Sequence, residues 1–460
     1  MKRFRDCIPK RSIATKAEKM RLCASSHNFE AISHASLDAR QFRRTIEMSS
    51  VITQLVGFLM AIQVSPENVV GRDALINRIW KKLDRGSIRF TAERRVGKTT
   101  VMIKMAAEPR PGFEVLFLEL EGIDSPERFV ELLINRVKPL LSKSAKALGW
   151  WDSFWGAIGG TEVAGVFKLP TSGSKIGWQA TLVKALEGVC EHQSDKTVLL
   201  LMDELPYMLQ KIGASEGQKT LALTLLDTLR SIRQQHQNLR MVFAGSVGLH
   251  HVVADLKQGS LASQPTNDMP LIEIRALSQP DAVTLASRLL NDEAVELAAD
   301  QERATLERLV TLTDGVPFYI EAVCSRLGEL EGSVDIETVD QIILQQLTSD
   351  HDPWEMEHFR ERLGTYYGGT IEDTSGVTIR DEEIARALLD YLSIIEEPQS
   401  IDQLWSAVKG TFKITDRNHI VEMLRSLALD HYLESNTAKR YSFRFPLIQR
   451  WWKAAQGLEG

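Results

Sequence analysis

Four cysteines in 460 residues, Cys7, Cys23, Cys190 and Cys324, are too few and too scattered for a disulfide framework or a zinc cluster. That excludes a stapled secreted scaffold and points to a reducing, cytoplasmic setting. No apolar run reaches the roughly twenty residues that a membrane span needs. The nearest candidate, Val51 to Val64, is interrupted by Thr53, Gln54, Gly57 and Gln63. It lies too far along the chain, with no small-residue cleavage pattern after it, to be a secretory signal. It reads as a packed helix or strand, and no membrane partner is expected. A strong overall charge is also missing, since the formal net charge is −6. That total hides a basic head: residues 1–47 hold eleven Lys and Arg against five Asp and Glu. Rich in Ser, Ala and His with weak periodicity, the head reads as a disordered tail, or as sequence upstream of a start at Met48 or Met60.

What remains is ordinary globular material, 43% apolar and 25% charged, long enough for two to four domains. One stretch stands out. Ser87 to Lys104 runs from a short apolar strand through a Gly97-Lys98-Thr99 turn into a helical pattern. A tight strand-to-helix turn aims unpaired backbone N–H groups outward, and the helix N-terminus adds partial positive charge, which suits a nucleoside triphosphate. Lys98 would reach the β- and γ-phosphates and the Thr99 hydroxyl would ligate Mg²⁺. The phosphate-contacting set is then Ala92, Arg94, Arg95, Val96, Gly97, Lys98, Thr99 and Thr100. The first glycine of the usual Gly-x-x-x-x-Gly-Lys-[Ser/Thr] pattern is Ala92 here, which requires a negative φ at that position. Glu93 adds a carboxylate inside the loop, to be offset by Arg94, Arg95 or a metal.

A second motif supports the first. Thr197 to Glu204 is an unalternated apolar run ending in two carboxylates, the signature of a strand buried on both faces of a parallel sheet. Acidic groups at the carboxyl end of such a strand lie where open α/β sheets bind ligands. Asp203 would hold the Mg²⁺ shell and Glu204 would orient and deprotonate the attacking water. A third strand, Arg240 to Gly245, ends beside Ser246, a candidate sensor of the γ-phosphate or the lytic water; a plain turn serine is the bland alternative.

These features, together with Val69-Val70-Gly71-Arg72 and Gly315-Val316-Pro317-Phe318-Tyr319, resemble the prokaryotic AAA+/STAND-type ATPases, relatives of the archaeal origin-recognition ATPases. The resemblance spans about residues 66–330. It implies that Gly71, Arg72 and Pro317 bracket the base and ribose, and that a further strand lies between the phosphate-loop strand and the Asp203-Glu204 strand. Departures are Ala92, Glu93 and the lack of an identifiable arginine finger, which bear on turnover and on oligomer-dependent hydrolysis more than on binding.

The fold class expected is therefore α/β: a five-stranded parallel P-loop NTPase sheet of the glutamate-base branch, a helical lid and a C-terminal winged-helix domain. Strands are placed near 87–92, 113–120, 197–202, 240–245 and 270–275. The expected division is a core at 48–276 with an aromatic insertion at 143–180, a lid at 277–350, a linker at 351–380 and a winged helix at 381–460. Trp150, Trp151, Phe154, Trp155 and Trp178 in the insertion read as satellite core rather than an exposed partner patch. His351 and Asp352 read as a capped turn, since no further metal ligands recur nearby. The last eighty residues carry ten Lys and Arg against twelve Asp and Glu, whereas a DNA-binding domain usually shows a basic footprint. The leading reading is an ATP-driven switch that couples ATP·Mg²⁺ to the winged helix and to a protein partner, with a homo-oligomer in view. The alternative is ATP-gated DNA binding, and a third reading is a scaffold that binds nucleotide without hydrolysing it.

Overall fold

The continuous apolar run Thr197–Asp203 becomes a strand with both faces covered, as its lack of alternation requires. Val198, Leu200 and Met202 enter one apolar layer while Leu199 and Leu201 enter the other, all fully buried. In the computed structural model, which describes residues 65–141, 177–245, 248–256 and 264–458 with short pieces between 149 and 169, this strand belongs to a five-stranded parallel sheet. Numbering in chain order, β1 is Ile88–Thr91, β2 Phe113–Glu119, β3 Thr161–Val163, β4 Val166–Lys168, β5 Thr197–Asp203, β6 Leu239–Phe243 and β7 Leu271–Glu273. The main sheet has the order β2-β5-β6-β1-β7. All its neighbours pair in parallel, as in Leu200 opposite Met241 and Phe90 opposite Ile272. The strand expected between the phosphate-loop strand and the acidic strand is β6.

Helices cover both faces. On one side α1 (Asp73–Leu83) and α2 (Lys98–Ala107) pack into the layer built on Ile88, Phe90 and Val242. On the other, α3 (Pro126–Leu141), α4 (Trp178–His192), α5 (Leu205–Ile212), α6 (Glu216–Gln235) and α7 (Leu249–Leu256) meet β2 and β5. Trp150 stacks on Phe154 at 5.0 Å and lies so close over α4 that a Cβ on Gly188 would sit 2.0 Å from its ring. With Trp178 partly buried against the same layer, these three aromatics pack as satellite core. The basic head, the Val51 to Val64 run, Trp151, Trp155 and Ser246 lie outside the described residues. No helix among the described residues is long and apolar enough to cross a membrane.

After β7 come four helices, α8 (Gln279–Asp292), α9 (Glu302–Leu312), α10 (Pro317–Gly328) and α11 (Ile336–Leu347). The α8 start is capped by Ser278, whose Oγ accepts from the Asp281 backbone N–H, and Asp335 caps α11 through Thr338. Asp352 takes up backbone N–H groups of Met356 and Glu357 at 2.7 and 2.8 Å, the capped turn expected there. The segment that follows contains α12 (His358–Tyr366) and a hairpin, β8 (Thr370–Glu372) with β9 (Thr378–Arg380).

The last eighty residues form α13 (Asp381–Ser393), β10 (Gln399–Ser400), α14 (Ile401–Phe412), α15 (Arg417–Leu429), β11 (Leu433–Ser435), β12 (Arg440–Phe443) and α16 (Pro446–Ala455). Three helices and then a hairpin follow the order read from the sequence. The short β10, paired antiparallel to β12, and the closing α16 are additions. Phe443, Phe445, Trp451 and Trp452 are buried there.

Candidate functional site

The chain leaves β1 at Thr91 and turns through Ala92–Gly97 into α2. Ala92 keeps a negative φ and is buried, so the missing glycine carries no left-handed strain. The left-handed positions of the turn fall instead on Arg95, with φ 73°, and Gly97, with φ 91°. Successive N–H groups in such a turn make an anion-binding concavity at a helix N-terminus.

Across the sheet the tip of β5 meets this turn. The Lys98 ammonium stands 2.8 Å from Glu204 Oε1 and 3.4 Å from Asp203 Oδ1, and the Thr99 hydroxyl donates to Asp203 Oδ2 at 2.5 Å. Lys98 and Asp203 are buried, so each charge depends on the other for its stability. Thr99 and Asp203 present hard oxygen donors side by side, a set suited to Mg²⁺. Glu204 is held in the left-handed region at φ 54°, a conformation costing about 1 kcal/mol that projects it from the end of β5. Glu119, opposite Asp203 in the ladder, joins this acidic edge; burial and then the Asp203 charge push its pKa upward.

Other expected site residues take different contacts. Arg72 is buried, and its guanidinium donates to the carbonyls of Val96 and Arg275, bracing the turn from behind. Burial lowers its pKa to about 10, with Asp281 opposing. Arg94 bonds through its backbone N–H to Glu93. Arg95 donates to the Trp354 carbonyl and pairs with Glu355, and its guanidinium lies 3.8 Å over the Phe318 ring. Thr100 sits half-buried in the first turn of α2. Pro317 opens α10 behind Gly315, which takes φ 65° and whose carbonyl accepts the Leu277 N–H.

Gly71 takes φ 70°, and an added Cβ would lie 2.5 Å from the Asp281 side chain on α8. Gly71→Ala is therefore expected to lower unfolding stability by about 2 kcal/mol or more, from left-handed strain plus a clash. Chemical denaturation checks this, and an unchanged midpoint would contradict the close packing.

The sequence reading missed the residues that cover the turn. Glu93 is 5% exposed, and its Oε1 accepts from Arg362 on α12 at 3.0 Å. Arg362 also donates to the Asp430 carbonyl at 3.0 Å and to the Tyr432 hydroxyl at 3.3 Å. Burial opposes the Arg362 charge, but Glu93, Tyr432 and Asp430 together more than offset it and hold the proton well above the usual range. His431 bonds the Thr91 hydroxyl at 2.8 Å, and Arg444 links His431 to Glu273 at the end of β7. Burial pushes the His431 imidazole below its usual range, with Glu93 opposing. The only local signal for this arrangement was the odd carboxylate at position 93, which asks for a cation without saying which.

The architecture matches solved structures. The Walker-type ATPase PABY2304 of Pyrococcus abyssi superposes with a TM-score of 0.54 at 14% identity, covering 86% of this chain and 99% of that one. The ORC2 protein of Aeropyrum pernix aligns at 0.42 with 10% identity over 85% and 96%. The RuvB branch migration motor of Thermotoga maritima aligns at 0.37 with 11% identity over 86% and 98%. The chain has the α/β P-loop ATPase fold, as the superposition on the Walker-type ATPase and the five-stranded parallel sheet show. No protein-family model and no curated protein sequence matches it.

Proposed function

We propose that this chain is an ATP-binding, slowly ATP-hydrolysing conformational switch of the STAND type, in which nucleotide state sets how a C-terminal winged-helix domain sits on the phosphate loop. The observation that carries the reading is the ion pair between Glu93 and Arg362, a carboxylate of the loop itself held by the segment that leads into the C-terminal domain. Lys98 takes the β- and γ-phosphates, backbone N–H groups from Ala92 to Thr100 surround them, and Gly71, Arg72 and Pro317 border the base and ribose. Thr99 and Asp203 hold Mg²⁺, which when bound neutralises phosphate charge. Glu204 orients and deprotonates water, with Ser246 as sensor. A triphosphate seated next to Glu93 competes with it for Arg362, so nucleotide binding and domain docking are linked through one guanidinium. Release of the domain exposes a face for a protein partner or a second copy, in the cytoplasm.

Limited proteolysis with and without ATP tests the coupling. Wild type should change its cleavage pattern in the segment 350–380 when ATP is added, and Glu93→Gln should show that change without nucleotide. Identical patterns for wild type with ATP, with ADP and with neither would end the switch reading. DNA binding is the weaker alternative, because Arg417 and Arg425 at the helix expected to read DNA are paired to Asp402 and Glu422. A duplex titration at rising salt separates the two, since phosphate-driven binding must weaken steeply.

A further inference from the structure

Away from the lysine and the two carboxylates, His250 and His251 in the first turn of α7 converge on Asp430, the residue that ends α15. One ligand atom from each lies within 4.8 Å of the others. His251 Nε2 is 2.6 Å from Asp430 Oδ2, and His250 Nε2 is 3.5 Å from Asp430 Oδ1. In a tetrahedron with bonds of about 2.1 Å, neighbouring donors stand about 3.4 Å apart, so this spacing suits a common ion. A second observation points the same way. His250 Nε2 is buried and makes no hydrogen bond, an orphaned acceptor or donor aimed at a carboxylate that the other imidazole already engages. Hydrogen bonding alone leaves that nitrogen unsatisfied.

The surroundings match those of a metal ligand set. The Tyr367 hydroxyl donates to Asp430 Oδ2 at 2.8 Å, fixing the carboxylate from outside. His251 stacks on Tyr366 at 5.4 Å, and the two imidazole rings lie 4.2 Å apart, which holds both side chains at the carboxylate. His250 and Asp430 also line a cavity of about 220 Å³, which leaves room for water as a fourth ligand.

We infer that His250, His251 and Asp430 form a site for a divalent transition metal, with Zn²⁺ the natural occupant of a two-imidazole, one-carboxylate set. The ion ties the helix after β6 to the end of α15 and so fastens the C-terminal domain to the sheet. This goes beyond the nucleotide reading and does not depend on it.

The test uses the full chain, dialysed against a chelator and titrated with Zn²⁺, and separately with Co²⁺, without nucleotide or Mg²⁺. Wild type should bind one equivalent of Zn²⁺, show a tetrahedral Co²⁺ absorption band, and unfold at higher temperature with Zn²⁺ than without. The double variant His250→Ala/His251→Ala should lose the equivalent and the band. His250→Gln, at a side chain that is 36% exposed and so tolerant of change, should lose the band while folding normally. Tyr367→Phe should weaken binding about tenfold. No stoichiometric Zn²⁺ on wild type, or the same stoichiometry and Co²⁺ band in wild type and His250→Gln, overturns the site.

Discussion

Lys98→Ala is expected to weaken ATP binding by roughly a hundredfold or more, measured by equilibrium titration with a fluorescent ATP analogue. A charge-assisted hydrogen bond to phosphate is worth up to about 3 kcal/mol, and each 1.4 kcal/mol is tenfold in affinity. The variant loses more than that contact. In the structure the Lys98 ammonium compensates Glu204 at 2.8 Å and Asp203 at 3.4 Å. Without it, two adjacent carboxylates face both one another and the incoming triphosphate. Because breaking a buried ion pair costs about 3–5 kcal/mol when one partner is removed, folding is checked by thermal unfolding. Binding within threefold of wild type in a folded Lys98→Ala protein would exclude this turn as the phosphate site.

Glu204→Gln should behave in the opposite sense for binding. ATP affinity should hold or rise, while phosphate release falls by about 10²–10⁴-fold, the usual contribution of a positioned general base. The affinity argument rests on geometry. Lys98 reaches a phosphate only by giving up its contact with Glu204, and a neutral amide holds an ammonium less strongly than a carboxylate does. Single-turnover phosphate release beside a binding isotherm separates the two effects. Equal hydrolysis by wild type and variant would remove Glu204 from the base role, and no release from either protein would favour a binding scaffold.

The sheet was legible because its signals are contiguous. Thr197–Asp203 has no alternation, and a strand covered on both faces needs none. Strand ends shifted by only a residue or two, as at Leu239–Phe243 against an expected start at Arg240. The segment after Asp350 was harder to read. It looked like a punctuated linker, yet it holds α12, with Phe359 and Leu363 buried and Arg362 turned onto the phosphate loop. A nine-residue helix carries too few turns for its apolar positions to establish a period. β10, two residues long, is defined only by its pairing with β12.

Residues close together in the chain determine what a turn or a strand can be. The Gly97-Lys98-Thr99 turn and the apolar run into Asp203-Glu204 each declare a local geometry, and from them the α/β class and the placement of the lysine and carboxylates could be argued. Covering the turn is another matter, for it joins residues 269 positions apart at Glu93 and Arg362 and 340 apart at Thr91 and His431. No periodicity or cap encodes such pairs. Only the packing of α12 and the end of α15 against the end of β1 makes Arg362 the counter-ion of a loop carboxylate and brings Asp430 to two histidines, because a buried charge needs partners and only the tertiary fold delivers them.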